Sequence, residues 1–279
     1  MSIASNQFEY DIVKMVEKYI GSNLPYDLPS WLLDEGVRPG SKILAVKGIG
    51  SQDRRNKTDV IIYLQDSEPI KISAKLRNAD YFGNWYGHKR FLLEFGEDAF
   101  YRMTKASTDF ANKWAKTATA PFVGVSICFG RRKGRTGQDF TEIFTPQDIL
   151  TVARGYGNGD STANCMYIDN SSAKTIIELI NNIEEISVET VTLATDSFKV
   201  AHRPINPMTE GTNRGKNVYI RFLPYRALPE KTIITNPQRL FALGEFVRIE
   251  PNCLNHNHIL NDLEENYNII IPRKRLDNY

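Results

Sequence analysis

Residues 56–76 read NKTDVIIYLQDSEPIKISAKL, and this stretch decides the fold. Its first run, TDVIIYLQ, is rich in β-branched and aromatic residues, which is typical of a strand. Its second run, IKISAKL, places apolar residues at every second position from Ile70, with Ser73 and Lys75 on the opposite face. The DSEP between the runs predicts a hairpin connection. Asp59 and Lys75 are therefore expected side by side at the open end of the hairpin.

The segments around the hairpin predict an α/β fold. Apolar residues at helical spacing predict a helix over residues 6–20, and SKILAVKGIG predicts a strand before the hairpin. A long helical segment is expected from Trp85 to about Lys116, in two pieces around Gly96. The apolar run APFVGVSICFG is typical of a fully buried strand. The order αβββαβ predicts a mixed sheet, with a meander of three strands and a crossover to a buried fourth.

The domain prediction is a single domain over residues 1–279. The chain has no internal repeat and no Pro/Ser-rich linker. Residues 6–130 are expected to form the core, and residues 131–279 a C-terminal α+β elaboration.

The composition predicts a soluble globular protein. It is 41% hydrophobic and 24% charged. No apolar run approaches the roughly 20 residues of a membrane helix, and the N-terminal sequence does not resemble a secretory signal. The three cysteines, Cys128, Cys165 and Cys253, are odd in number and far apart, so no disulfide framework is expected. A cytoplasmic location is the resulting expectation.

An acid beside a lysine at the end of a hairpin suits phosphodiester hydrolysis. A carboxylate and backbone carbonyls are ligands that Mg²⁺ accepts, and Mg²⁺ polarises a phosphoryl oxygen. A lysine nearby orients water and stabilises developing negative charge.

An Asp, a hairpin and then x-x-Lys at the end of the next strand resembles the PD-(D/E)xK nuclease superfamily, and within it the small Type II restriction endonucleases. The resemblance implies a restriction-endonuclease-like αβββαβ core with Mg²⁺ as cofactor. It implies that Asp59 and the Ala74 carbonyl hold the metal and that Lys75 positions water. The family also has a glutamate on its first helix that points into the site, which implies Glu9, with Glu17 as the alternative.

The sequence departs from the family pattern at two positions. Thr58 stands where the motif has a proline, and Ser73 occupies the position of the second acid. Some restriction enzymes of the superfamily carry a polar neutral residue there, so Ser73 remains a candidate catalytic residue. The resemblance covers residues 6–130.

Recognition of DNA would need residues that contact phosphates and read bases. The net charge is only +2, but basic residues cluster in glycine-containing stretches, among them GRRKGRTGQD and EGTNRGKNVYIRFLPYR. Arg and Lys suit guanine, and Asn and Gln suit adenine. Each stretch is equally compatible with a solubilising loop. The candidate DNA-binding residues are Arg54, Arg55, Lys89, Arg131, Arg132, Lys133, Arg135, Gln138, Asn213, Arg214, Lys216, Asn217, Arg221 and Arg226.

The sequence thus predicts a Mg²⁺-dependent Type II restriction endonuclease that cuts double-stranded DNA at a short site and leaves 5′-phosphates. Cutting both strands of a palindrome is typical of symmetric dimers, so a homodimer is one expected state. A methyltransferase that protects host DNA is implied by the family alone. Two alternatives stay open: a structure-specific repair or junction nuclease, and a catalytically dead DNA-binding module of the same fold.

Overall fold

The computed structural model describes residues 3–49, 56–79, 81–83, 86–131, 134–210, 217–251 and 255–274. The helices among them are α1 (Ile3–Glu17), α2 (Ser30–Asp34), α3 (His88–Ala115), α4 (Asp148–Arg154), α5 (Ile176–Asn182), α6 (Val188–Thr195), α7 (Pro237–Phe241) and α8 (His256–Asn266), with a 3₁₀ turn at Phe140–Glu142.

The strands of the described residues follow in the same chain order. They are β1 (Ile43–Gly48), β2 (Val60–Leu64), β3 (Ile70–Leu76), β4 (Tyr81–Gly83), β5 (Val125–Gly130), β6 (Gly137–Asp139), β7 (Cys165–Asp169), β8 (Ile183–Glu185), β9 (Lys199–Pro204), β10 (Ile220–Pro224), β11 (Thr232–Ile233), β12 (Gly244–Arg248) and β13 (Ile269–Ile270).

The chain divides into two compact units. The first unit comprises Met1–Phe82 and Thr145–Phe198, and the second comprises Gly83–Phe144 and Lys199–Tyr279. The chain therefore leaves the first unit within the segment predicted as the core, 6–130, and returns to it at Thr145. The single domain over 1–279 stays a prediction.

A mixed five-stranded sheet forms the centre of the first unit, with the order β1-β2-β3-β7-β8. The pairs β1–β2, β2–β3 and β7–β8 are antiparallel, whereas β3 and β7 are parallel. The predicted meander of three strands and the mixed α/β class are confirmed.

The predicted fourth strand is wrong. APFVGVSICFG contains β5, which is fully buried as expected but pairs with β9 in the second unit. The strand beside β3 is β7, which follows α4 in the chain. A continuous apolar run indicates burial but carries no information about which sheet it joins. In the first unit, α1, α2, β1, β2 and β3 are followed by α4 and β7 after the chain returns at Thr145.

The core of the first unit lies between the sheet and α1. The periodic apolar residues of α1, Phe8, Ile12, Met15 and Val16, are buried in one cluster with residues of β2, β3, β7 and α5. Residues at this spacing line one face of a helix, so α1 is fixed to the sheet along its length from Phe8 onward.

The second unit contains a separate core. In it β9 pairs antiparallel with both β5 and β6, and β10 pairs with β12. The helix α3 is interrupted at Gly96, whose φ of 80° and ψ of 177° are not helical, so the predicted break is confirmed. Glycine has no Cβ and adopts this positive φ without the steric cost that other residues meet.

No helix among the described residues combines the length and apolar character needed to cross a membrane.

Gly244 is expected to be a stability determinant of the second unit. It pairs with Pro224, and a Cβ at this position would clash with the Leu223 carbonyl oxygen and lie 2.7 Å from the Pro224 Cα. Both are backbone atoms that cannot move independently of the strand. Gly244→Ala should lower the free energy of unfolding by about 2 kcal/mol or more in urea denaturation. Gly48→Ala, whose Cβ would meet only Val13 Cγ2 at 3.4 Å, should change it little; equal effects would contradict the clash.

Candidate active site

The backbone of the β2–β3 hairpin fixes the position of Asp59. Its amide donates to the Ile72 carbonyl at 2.8 Å, and its carbonyl accepts from the Ile49 amide at 2.9 Å. The next residue, Val60, pairs with Ile72 in the ladder. Asp59 is therefore held on both sides at the open end of the hairpin, as the sequence predicts.

The side chain of Asp59 meets the end of β3. Its Oδ2 accepts from the Ala74 amide at 2.8 Å and from Lys75 Nζ at 2.8 Å. Lys75 Nζ also donates to the Ala74 carbonyl at 2.9 Å. The two charged side chains are mostly buried, at 15% exposed for Asp59 and 19% for Lys75. The structure thus brings Asp59, Ala74 and Lys75 together, and the Lys75 ammonium lies between two oxygens.

Glu9 is the acid that α1 adds to this group. It is buried, at 8% exposed, and makes no hydrogen bond or ion pair among the residues that the structure describes. Burial, with the Asp59 charge as a second cause, raises the pKa of its carboxyl to about 7, although Lys75 opposes the shift. Of the two glutamates left open by the sequence, Glu17 is exposed and pairs with Lys14 at 2.7 Å. Glu9 is therefore the glutamate of α1 that interacts with the site.

The two departures from the family pattern are both buried. Ser73 is a buried residue of β3, next to Ala74, and supplies a neutral hydroxyl where the pattern has an acid. Thr58 is almost completely buried, and its hydroxyl has no hydrogen-bond partner within the described parts of the chain. A buried hydroxyl without a partner is destabilising, so Thr58 is retained at a cost in folding free energy.

Lys57 is a buried residue near the site that the sequence reasoning missed. Its amide donates to the Ser161 carbonyl at 3.0 Å, and its Nζ donates to the Phe82 carbonyl at 3.3 Å. Its position two residues before Asp59 is the only signal of it in the sequence. Burial of a lysine indicates that its charge is compensated by neighbouring oxygens.

Half of the candidate DNA-binding residues lie outside the described residues. These are Arg54, Arg55, Arg132, Lys133, Asn213, Arg214 and Lys216.

Two candidates after β5 make contacts within the second unit. Arg135 donates to the Thr117 hydroxyl at 3.0 Å and lies over the Trp114 ring at 5.3 Å. Gln138 donates to Glu142 at 2.8 Å, and its Oε1 lies 3.0 Å from the His202 ring. The amide of Gln138 is hydrogen-bonded within the protein, so it could read a base only if these hydrogen bonds broke.

The remaining candidates also belong to the second unit. Arg221 lies 3.9 Å from the Asp262 carboxylate, and Asn217 lies close to Gly87. Lys89 and Arg226 are exposed, and Arg131 is half-buried. Exposure leaves Lys89 and Arg226 available for phosphate contact, a role that stays a prediction.

The oxygens at the site fit a hard cation. Asp59 Oδ2 and the Ala74 carbonyl already hold one positive group, the Lys75 ammonium. Glu9, which is 8% exposed, supplies a second carboxyl. Carboxylates, carbonyls and water are the ligands that Mg²⁺ prefers. Across the described ranges no cluster of three or more His, Cys, Asp or Glu side chains is arranged to hold a metal ion.

Comparison with known proteins gives no relative: the chain matches no protein-family model, no curated protein and no solved structure.

Glu9 should make stability depend on pH. Its pKa is raised from 4.5 to about 7 in the folded protein, so the folded state binds this proton more tightly than the unfolded state. The free energy of unfolding should therefore fall as pH rises from about 4.5 to about 7. In Glu9→Gln this contribution disappears. Urea denaturation of the wild type and Glu9→Gln between pH 4.5 and pH 7 isolates the contribution of Glu9, because all other groups titrate in both proteins. Parallel curves would show that Glu9 titrates normally.

Proposed function

We propose that this protein is a Mg²⁺-dependent endonuclease that hydrolyses phosphodiester bonds of double-stranded DNA. The observation that carries the proposal is the arrangement of Asp59, the Ala74 carbonyl and Lys75 at the open end of one hairpin. The same three groups were expected from the resemblance to the PD-(D/E)xK superfamily. In the first unit α1 is followed by β1, β2, β3, α4 and β7, with the short helix α2 between α1 and β1, and this succession supports the same superfamily.

Lys75 is proposed to orient the attacking water. An ammonium has three donors, and two of them are used on Asp59 Oδ2 and the Ala74 carbonyl. The third is left for water or for a phosphate oxygen. Because the neighbouring carboxylate and carbonyl hold Nζ in place, this third donor has a defined direction, which is what positioning of a nucleophile requires.

Asp59, the Ala74 carbonyl and Glu9 are proposed to hold Mg²⁺. When bound, the metal would polarise a phosphoryl oxygen and stabilise the charge that develops on it. Ser73 adds a hydroxyl where the family has an acid, so the negative charge at the site comes from Asp59 and Glu9. The buried carboxyl of Glu9 gains an oppositely charged partner when a cation is present.

The proposed hydrolysis uses water as its nucleophile. The water oxygen forms a bond to phosphorus, and the bond from phosphorus to O3′ breaks. The products are a 5′-phosphate and a 3′-hydroxyl. The proton lost by water passes to solvent, and the leaving oxygen takes a proton from solvent.

The finer description is a Type II restriction endonuclease that cuts a short specific sequence. Its support is the resemblance of the hairpin motif, together with the exposed Lys89 and Arg226 in the second unit. A homodimer and a protective methyltransferase belong to the same proposal.

A DNA-binding module without catalysis is the second candidate. The observation in its favour is Ser73, which leaves the acid position of β3 neutral and buried. In that case the Lys75–Asp59 ion pair would be structural.

Cleavage of bacteriophage DNA by the purified protein tests the proposal. Discrete fragments should form with Mg²⁺ and not with EDTA. Lys75→Ala should reduce the rate at least about 100-fold, because it removes the donor that faces the reacting group. Lys71→Ala is the matched control: Lys71 is on the same strand and face, and its Nζ donates to the Gly159 carbonyl at 3.1 Å.

The outcomes separate the candidates. Fragments lost in Lys75→Ala and kept in Lys71→Ala support the nuclease, and sequencing of their ends gives the site. If the protein binds DNA in a salt-sensitive way without cleaving it, and Lys75→Ala leaves this binding unchanged, the nuclease proposal is wrong and the binding module remains. Cutting of branched but not linear DNA would instead favour a junction nuclease.

A further inference from the structure

The position of Glu9 is set by packing and not by its own carboxyl. Glu9 makes no hydrogen bond or ion pair in the described chain, yet its pKa responds to both Asp59 and Lys75. The residues of α1 that precede Phe8 are exposed or half-buried. Phe8 is therefore the first residue of the helix that is anchored in the core, and it is the immediate neighbour of Glu9.

Phe8 packs on the aromatic ring of Tyr167. It stacks on Tyr167 of β7 with 5.5 Å between ring centroids and an interplanar angle of 8°. Both residues are buried, at 5% exposed for Phe8 and 1% for Tyr167. A near-parallel stack restricts how the Phe8 ring can rotate and how far it can enter the core. It therefore also restricts the rotation and position of the first turn of α1 that packs on the sheet.

Tyr167 is itself tied to the strand that carries the site. It pairs in register with Ala74, the residue whose amide donates to Asp59 and whose carbonyl accepts from Lys75. Its hydroxyl donates to the Ser171 carbonyl at 3.1 Å. Tyr167 thus adjoins both halves of the site. Its backbone lies beside Ala74, and its ring packs on Phe8, the neighbour of Glu9.

We propose that Tyr167 is a positioning residue, whose ring seats Phe8 and so sets where the Glu9 carboxyl stands relative to Asp59 and Lys75. The inference rests on the proposed metal-dependent function and deepens it. Tyr167 is proposed to contact neither substrate nor metal and to act only through Glu9.

A double-mutant cycle tests this role with Mn²⁺ as the probe. Calorimetry of Mn²⁺ binding is measured for the wild type, Tyr167→Leu, Glu9→Gln and the double variant. Tyr167→Leu should weaken binding about tenfold, as changes to residues that orient metal ligands do. Added to Glu9→Gln, it should weaken binding little further, because a residue that acts through Glu9 has nothing left to position.

Two controls separate positioning from loss of stability. Tyr167→Phe keeps the ring and removes only the hydroxyl, so it should bind Mn²⁺ like the wild type. Leu179→Ala opens a cavity in the same core from α5, and it should lower stability without weakening binding. If Tyr167→Leu proves unfolded, Phe8→Leu takes its place in the cycle, because it removes the other ring of the same stack.

The results are decisive in either direction. If Tyr167→Leu weakens Mn²⁺ binding equally with and without Glu9→Gln, the inference is overturned. It is also overturned if Leu179→Ala weakens Mn²⁺ binding as much as Tyr167→Leu does. Failure of the wild type to bind Mn²⁺ also overturns it. DNA cleavage by the same proteins is scored separately: a wild type that binds Mn²⁺ with the expected coupling but cuts no DNA would overturn the proposed nuclease and keep the positioning role.

Discussion

The register between β2 and β3 is the constraint on which the candidate site depends. Val60 lies opposite Ile72, so Asp59 receives the Ala74 amide and the Lys75 ammonium on one carboxylate oxygen. Side chains alternate between faces along a strand, so a slip of one residue would turn Lys75 to the other face and the apolar residues of β3 toward solvent. Burial of the first unit's core and assembly of the site are thus enforced by the same pairing.

The site concentrates features that are unfavourable for folding. The hydroxyl of Thr58 is buried without a partner in the described chain, and burial raises the pKa of the Glu9 carboxyl, so its charged form is disfavoured there. Natural proteins break the rule of satisfied polar groups mainly where function requires it. The ion pair of Lys75 with Asp59 keeps opposite charges 2.8 Å apart. Cation binding would offset part of the cost, since it supplies positive charge where two acids interact.

The elements of the fold were predictable where their signals are local. The hairpin, the helix before it and the break of α3 at Gly96 follow from strand alternation, helical spacing and the backbone freedom of glycine. The partner of β3 was not predictable in this way. Both β5 and β7 are buried strands, and their composition does not distinguish which of them lies beside β3. That choice depends on contacts between residues far apart in the chain.

The sequence by itself determined the neighbours Asp59 and Lys75, because a short hairpin fixes which residues meet at its open end. Only the tertiary structure decided the rest of the site. It selected Glu9 over Glu17, because the face of α1 that packs on the sheet includes Glu9 and leaves Glu17 exposed. It also placed Tyr167 beside Ala74 and beneath Phe8, a contact between residues about 160 positions apart that no local pattern encodes.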